Sequence, residues 1–348
     1  MDTFIIIKIF FLTALAFIIT ILWTPALTYF LYKFKLGKKI RTADNAPIMA
    51  GLHEHKAGTP TMGGVLIWGT TLVLALFFYF LSQWSGLEIF SQLNFLTRSQ
   101  TLLPLGALVA SALVGLLDDV LNIRGIGPNG GGLKIRYKLL IYSAIALIGA
   151  LWFYFKLDWD LMRIPFVGDF QIGWWYIPIF VFIIVGAANA VNITDGLDGL
   201  AGGLLASAFG AFAIIAFTQG RYDLATFCGV IVGALLAFLW FNINPARFFM
   251  GDTGSMSLGV TLGIVAMLTN SALILPIIGF LFVLEALSVL IQITSKKLFK
   301  RKVFLSAPLH HHLEAQGWPE CKIVMRFWLI ATVMAVIGVI MVLMDKIY

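Results

Sequence analysis

The chain has 348 residues, 60% of them hydrophobic and only 12% charged, with a formal net charge of +7. That balance excludes an ordinary soluble domain and points to a membrane protein whose long apolar runs span the bilayer as helices. The basic excess lies beside those runs, so it reads as membrane orientation and contact with anionic lipid, not nucleic-acid binding.

A span needs roughly 17–25 apolar residues. In chain order, ten runs qualify: 4–32, 62–81, 101–117, 139–155, 174–191, 199–217, 224–241, 255–269, 273–295 and 324–344. The first has no small-residue cleavage site before Lys33 and reads as a retained helix. Pro25, Pro178 and Pro276 interrupt runs in a way membrane helices tolerate. Residues 83–100 fit a segment along the outer interface, and the alternation around Gly168-Asp169 in 158–173 fits a small β-hairpin. The segment from Ser288 to Lys302 keeps an apolar face while turning basic, as a helix at the inner leaflet does. Two cysteines, Cys228 and Cys321, offer no disulfide framework. The expected fold class is an all-α polytopic membrane protein of about ten transmembrane helices, with no internal repeat.

Eighteen of the 24 Lys and Arg residues fall in alternate loops, around Lys33 to Lys56, Arg124 to Lys138, Arg247, and Lys296 to Arg326. The positive-inside rule makes that the cytoplasmic face and puts both termini outside.

The acidic motifs gather on that same face. Asp118-Asp119 ends the third span. Adjacent carboxylates repel, so a metal, a shared proton or a cationic partner would give the pair a reason, although a solvated helix end also allows it. Asn192-Ile193-Thr194-Asp195-Gly196-Leu197-Asp198 ends the fifth span. Its i, i+3 carboxylates would share a helical face, or sit in a capped turn. In Met250-Gly251-Asp252-Thr253-Gly254-Ser255 a carboxylate flanked by glycines opens a helix, a place that suits either an N-cap or a phosphate site. Asn242, Asn244, Phe248 and Phe249 precede it and would suit a hydrogen-bonded, stacked base. In the first cytoplasmic loop, His53, Lys56 and Gly58-Thr59-Pro60-Thr61-Met62-Gly63-Gly64 resemble a phosphate cradle or a plain loop-to-span junction. His310-His311-His312 read as donors to a phosphate oxygen rather than zinc ligands, because consecutive histidines on a helix do not face one ion. Oxygen donors beside phosphate suit magnesium. Glu285, the acid inside an apolar run, reads as a helix-to-helix hydrogen-bond partner.

These residues resemble the phospho-N-acetylmuramoyl-pentapeptide transferases, within the wider superfamily of polyprenyl-phosphate sugar-1-phosphate transferases. The likeness runs through Lys56 to Gly64, Asp118-Asp119, Asn189 to Leu200, Asn242 to Ser255, and Pro308-Leu309-His310-His311-His312-Leu313-Glu314 with Gly317-Trp318-Pro319-Glu320. It implies one integral-membrane catalytic domain over 1–348 in the bacterial cytoplasmic (inner) membrane, homodimeric, with the site facing the cytoplasm. It implies transfer of phospho-MurNAc-pentapeptide from UDP-MurNAc-pentapeptide to undecaprenyl phosphate, giving lipid I and UMP, with magnesium as cofactor. Asp252 would be the magnesium ligand, Asp118 would lie near the attacking lipid phosphate, and Asp119 would help hold the site. His311 would join the catalytic set. Asn192, Asp195, Gly196, Leu197 and Asp198 would line the nucleotide and sugar side, with Asn242 and Phe249 at uridine. Lys56, Thr61, His311 and His312 would surround the diphosphate, and Gln292 and Lys138 would contact substrate. One position departs from the family pattern: a lysine commonly follows the aspartate pair where this chain has Asn122, leaving Arg124, Lys134 or Lys138 to supply the charge. The rival readings are a polyprenyl-phosphate GlcNAc-1-phosphate transferase and, in another class, a magnesium or anion transporter.

Overall fold

The apolar runs become helices in the computed structural model, which describes residues 2–37, 56, 58–128 and 131–345. His53 and the basic residues Lys38, Lys39, Arg41 and Lys346 lie outside the described residues. The helices are α1 (Asp2–Lys33), α2 (Val65–Trp84), the short α3 (Glu88–Leu93), α4 (Leu102–Arg124), α5 (Ile135–Lys156), α6 (Tyr176–Thr194), α7 (Leu200–Thr218) and α8 (Tyr222–Asn242). They continue with α9 (Asp252–Leu268), the single turn α10 (Leu275–Ile278), α11 (Phe280–Leu298), α12 (Leu309–Ala315) and α13 (Glu320–Asp345). Among the described residues eight helices are long and apolar enough to cross a membrane: α1, α2, α4 to α8 and α13. Together with α9 and α11 they correspond to the ten expected spans.

The run 273–295 is not one continuous helix. The chain turns through α10, which starts at Leu275-Pro276, and restarts at Phe280 after Gly279. Leu281, Glu285, Ser288 and Gln292 then form one buried face of α11, while Lys296 and Lys297 close it, as the amphipathic pattern predicts. Between α5 and α6, strands β1 (Leu161–Ile164) and β2 (Gly168–Gln171) pair antiparallel with Arg163 opposite Asp169, the expected hairpin.

The bundle is built around α9. Every residue from Thr253 to Leu268 is buried, and the packing is tight because small residues face small residues. A Cβ on Gly259 would stand 2.6 Å from the Ala188 Cα of α6. One on Gly115 of α4 would stand 2.4 Å from the Asp252 carbonyl oxygen. The helix is 17 residues long, about 25 Å at 1.5 Å per residue, so it is shorter than the hydrocarbon core and is enclosed by its neighbours.

Alternation of direction brings the motifs to one end. There α4, α6, α8 and α11 finish and α5, α7, α9 and α13 begin, which places Asp118, Asn192, Asn242 and Gln292 beside Lys138, Asp252 and Glu320. The opposite end is fastened separately. Lys8 of α1 meets Asp223 of α8 at 3.0 Å. Arg163 of the hairpin is paired with Asp345 of α13, which holds its guanidinium above the usual arginine range chiefly through that hydrogen bond.

Candidate active site

The start of α9 is fixed by a side chain from another helix. Gly251 adopts φ +74, where side chains are strained, and a Cβ there would lie 2.5 Å from Asp119 Oδ2 and 2.6 Å from Thr61 Oγ1. Asp119 Oδ1 accepts the Asp252 N–H and Oδ2 the Thr253 N–H, both at 3.1 Å. A negative carboxylate therefore occupies the positive end of this helix. Those two amides are committed to Asp119, so the capping that was one of the two readings of Asp252 is done from α4.

Asp252 is thereby turned toward its neighbours. Its Oδ1 accepts from Asn192 Nδ2 at 3.0 Å, and the same amide lies 2.9 Å from Ser255 Oγ. Its Oδ2 stands 2.6 Å from Lys138 Nζ. Lys138 stands 2.6 Å from Asp118 Oδ2 as well, and Asp118 Oδ1 accepts the Leu133 N–H at 2.6 Å. One lysine thus bridges two aspartates from distant parts of the chain. Of the three cations expected to replace the missing lysine at Asn122, Arg124 and Lys134 are exposed while Lys138 meets the carboxylates. The loop after α4 folds back to make this possible, with Gly125 ending the helix at φ +69.

A second bridge lies on the other side of the turn between α6 and α7. Lys56 Nζ stands 2.8 Å from Asp198 Oδ1 and 2.6 Å from Glu320 Oε1. Asn244 Nδ2 donates to Asp198 Oδ2 at 2.9 Å and to Glu320 Oε2 at 3.1 Å. The Asp198 amide donates to Glu320 Oε1 at 2.6 Å. Asp195 and Asp198 do not share a helical face as their spacing suggested. Helix α6 ends at Thr194, α7 starts only at Leu200, and Gly199 at φ +79 turns the chain between them. Asp198 and Leu197 are buried in that turn, and Asp195 and Gly196 are half-buried. Trp328 of α13 donates to the Gly199 carbonyl at 3.1 Å.

The loop leading into α2 touches both bridges. Lys56 belongs to the second, and Thr61 lies beside Gly251 and Asp119 of the first, its buried hydroxyl lacking a hydrogen-bond partner. Backbone bonds hold the loop in place. Phe249 N–H donates to Pro60 O, Gly63 N–H to Phe249 O and Gly64 N–H to Met250 O, each at 2.8 Å. Phe249 remains half-buried while Phe248 is fully buried. Both ends of the Asn242 amide are used within the protein, Oδ1 by Gly199 N–H at 2.9 Å and Nδ2 by Phe248 O at 2.8 Å. Asn242 thus ties the Asp198 turn to the strand of chain entering α9.

The three histidines have separate bonding partners, although the His310 and His311 rings meet edge to face with centroids 4.0 Å apart. His310 is buried. Its backbone N–H and Nδ1 meet the Glu285 carboxylate at 3.1 and 3.0 Å, and its unpartnered Nε2 abuts Gly196. Glu285 therefore joins α11 to α12, as the sequence suggested. His311 Nδ1 pairs with Glu314 at 2.7 Å. His312 accepts the Leu305 N–H on Nδ1 at 3.2 Å. Gln292 binds the loop before α12, taking the Val303 and Phe304 N–H groups at 3.0 Å and donating to Phe304 O at 2.9 Å.

Among the described residues, no group of three or more His, Cys, Asp or Glu side chains forms a metal cage. Magnesium asks for less, since it binds through one or two carboxylates and completes its shell with water and substrate phosphate. Asp118 and Asp252, converging on one point with hard oxygen donors, fit that requirement. Sequence reasoning overlooked Glu320 and Ser255. Glu320 stood inside the Gly317 to Glu320 run, but nothing local to it signalled which loop it would meet.

Comparison with known proteins agrees along the chain. Residues 56–67 match phospho-N-acetylmuramoyl-pentapeptide-transferase signature 1, and residues 101–270 match glycosyl transferase family 4. A Chloroflexus aggregans protein named phospho-N-acetylmuramoyl-pentapeptide-transferase is 43% identical over 341 residues, spanning 94% of this chain and 88% of its own. Proteins of the same name from Geobacillus thermodenitrificans and Bacillus subtilis are each 39% identical, over 94% and 95% of this chain and 95% and 97% of their own lengths.

Proposed function

The chain belongs to the phospho-N-acetylmuramoyl-pentapeptide-transferase family, and from that premise we propose how its residues perform the family's reaction. The enzyme transfers phospho-MurNAc-pentapeptide from UDP-MurNAc-pentapeptide to undecaprenyl phosphate, forming lipid I and UMP for peptidoglycan synthesis. Lys138 bridging Asp118 and Asp252 at 2.6 Å carries the assignment of the reacting centre, because it unites two acidic motifs around a cation.

Both substrates are anions, so the site must offset repulsion before they meet. Asp252, with Asp118, would hold a magnesium ion, which when bound supplies charge neutralisation for the phosphates and for departing UMP. Asp119 keeps α9 and therefore Asp252 in place. Asn192 orients the Asp252 carboxylate. Lys138 reduces the repulsion between Asp118 and Asp252 and offers an ammonium to the lipid phosphate. In the step itself, an oxygen of the lipid phosphate attacks the β-phosphorus of the donor. A new P–O bond forms, the bond from that phosphorus to the bridging oxygen breaks, and UMP leaves with the electron pair. Any proton left on the lipid phosphate passes to Asp118.

On the far side of the turn, Lys56, Asp195 and Asp198 would receive the nucleotide and sugar, with Phe249 against uracil and His311 and His312 near the diphosphate. A multi-pass membrane protein with eighteen basic residues on one set of loops is oriented with this site in the cytoplasm, in the bacterial inner membrane. Homodimeric assembly is carried over from the family resemblance. The test is UMP release from the purified protein with both native substrates, with and without magnesium. Release with UDP-GlcNAc but none with the muramoyl pentapeptide overturns the donor assignment.

A further inference from the structure

We propose that Glu320 is a positioning residue that fixes Lys56 for the nucleotide-sugar donor. The inference rests on the proposed placement of Lys56 beside that donor. Glu320 is the first residue of α13, far in sequence from every motif that touches the bridged aspartates. Its two oxygens nevertheless reach three groups. Oε1 accepts from Lys56 Nζ and from the Asp198 amide, each at 2.6 Å, and Oε2 accepts from Asn244 Nδ2 at 3.1 Å.

Asp198 uses the same donors. Its Oδ1 takes Lys56 Nζ at 2.8 Å, and its Oδ2 takes Asn244 Nδ2 at 2.9 Å and the Ala246 amide at 3.1 Å. The two carboxylates are held side by side in a closed ring, with the ammonium at one edge and the asparagine amide at the other. The Lys56, Asp198 and Glu320 side chains are only 10%, 3% and 12% exposed. A lysine side chain has many rotamers to lose, and charge-assisted hydrogen bonds from two sides select one of them. Asp198 alone supplies one such bond. Glu320 supplies the second, and it also holds the backbone of the turn on which Asp198 sits.

Glu320 lies at the Lys56 bridge and not at the Lys138 bridge, so its removal separates donor binding from the chemical step. Glu320→Gln keeps the shape and an acceptor oxygen but deletes the charge. The expected result is a donor KM raised by about tenfold or more, the equivalent of one charged hydrogen bond. The kcat stays within about threefold and the KM for the lipid acceptor is unchanged. Because Glu320→Gln keeps an acceptor for the Asp198 amide and loses the charge that meets Lys56, adding it to Lys56→Ala raises the donor KM by much less than it does in the wild-type background. Effects that multiply in the double variant, or a lowered kcat at unchanged donor KM, overturn the proposal. If Glu320→Gln fails to fold, Glu320→Asp carries the same test. It keeps the charge but is one methylene too short to span Lys56 and the Asp198 amide, so its donor KM rises too, and a wild-type value overturns the proposal. Wild-type UMP release in the same assay separates the two levels. No release by wild type sinks the functional assignment, whereas normal release with an indifferent Glu320→Gln sinks only the role of Glu320.

Discussion

Replacing Lys138 with methionine tests the reacting centre most directly. The ammonium stands 2.6 Å from Asp118 and 2.6 Å from Asp252, so the two carboxylate oxygens lie no further apart than twice that distance. At an effective dielectric of about 20, unit negative charges about 5 Å apart repel by about 3 kcal/mol, or roughly two decades in an equilibrium constant. Solvent screens part of this, since Lys138 is one quarter exposed, yet Asp118 is 4% and Asp252 13% exposed. Lys138→Met keeps the length and apolar packing of the side chain and removes only its charge and donors.

Two consequences follow with opposite signs. Turnover falls by about 100-fold or more even at saturating magnesium, because the incoming lipid phosphate loses the ammonium that Lys138 offers it. Magnesium binds more tightly, because Lys138 no longer competes for Asp252 and Asp118, so the half-saturating concentration drops. Initial rates of UMP release across a magnesium titration read both quantities. A variant that keeps more than a tenth of the wild-type rate, or whose half-saturating magnesium rises, would refute the assignment of Lys138 as the cation of this site.

Asp252→Asn should lower turnover by at least ~100-fold with an unchanged melting temperature, since it removes one site charge and no packing; near-normal rates would exclude Asp252 as a metal ligand. Gly115→Ala puts a methyl group 2.4 Å from the Asp252 carbonyl oxygen, so overpacking of about 1–3 kcal/mol should lower the melting temperature and the rate together. Wild-type values for both would mean that α4 and α9 do not approach so closely. Glu285→Leu leaves the His310 N–H groups without their acceptor inside the bundle, at a cost of about 1–3 kcal/mol per unpaired group. A melting temperature equal to wild type in the same detergent would show that the α11 to α12 link carries no stability.

The spans could be read from the sequence because apolar length is a local property. The hairpin was legible for the same reason, through alternation around Gly168-Asp169. The break of the ninth run was harder. Pro276 marks it, but a proline is also tolerated inside a continuous membrane helix, and only packing decides. The acidic motifs could be assigned to one face, yet their partners could not be named. Asp119 looked like a member of a repulsive pair and instead caps α9, a contact between helices with no signature in either. The shared face expected of Asp195 and Asp198 needs the helix to continue, but α6 ends at Thr194 and the pair lies in the turn before α7, the other reading their spacing allowed.

The two halves of the site repeat one device. Lys138 lies between Asp118 and Asp252, and Lys56 lies between Asp198 and Glu320, with every nitrogen-to-oxygen distance between 2.6 and 2.8 Å. Each bridge has two negative charges and one positive, so each retains a net negative charge. A diphosphate or a lipid phosphate arriving at such a bridge brings more charge of the same sign, and the lysine is already engaged on two sides. A divalent ion at Asp118 and Asp252 would reverse the local sum. It would also loosen the hold of those carboxylates on Lys138, whose ammonium could then turn to an incoming phosphate. The carboxylates of the Lys56 bridge share a second donor, since Asn244 Nδ2 bonds both Asp198 and Glu320, whereas Asp118 and Asp252 have separate further partners, the Leu133 amide and the Asn192 side chain. On the proposed function, the first bridge would exchange its cation and the second would keep it, with the chemistry at Asp252 and the recognition of the donor at Lys56.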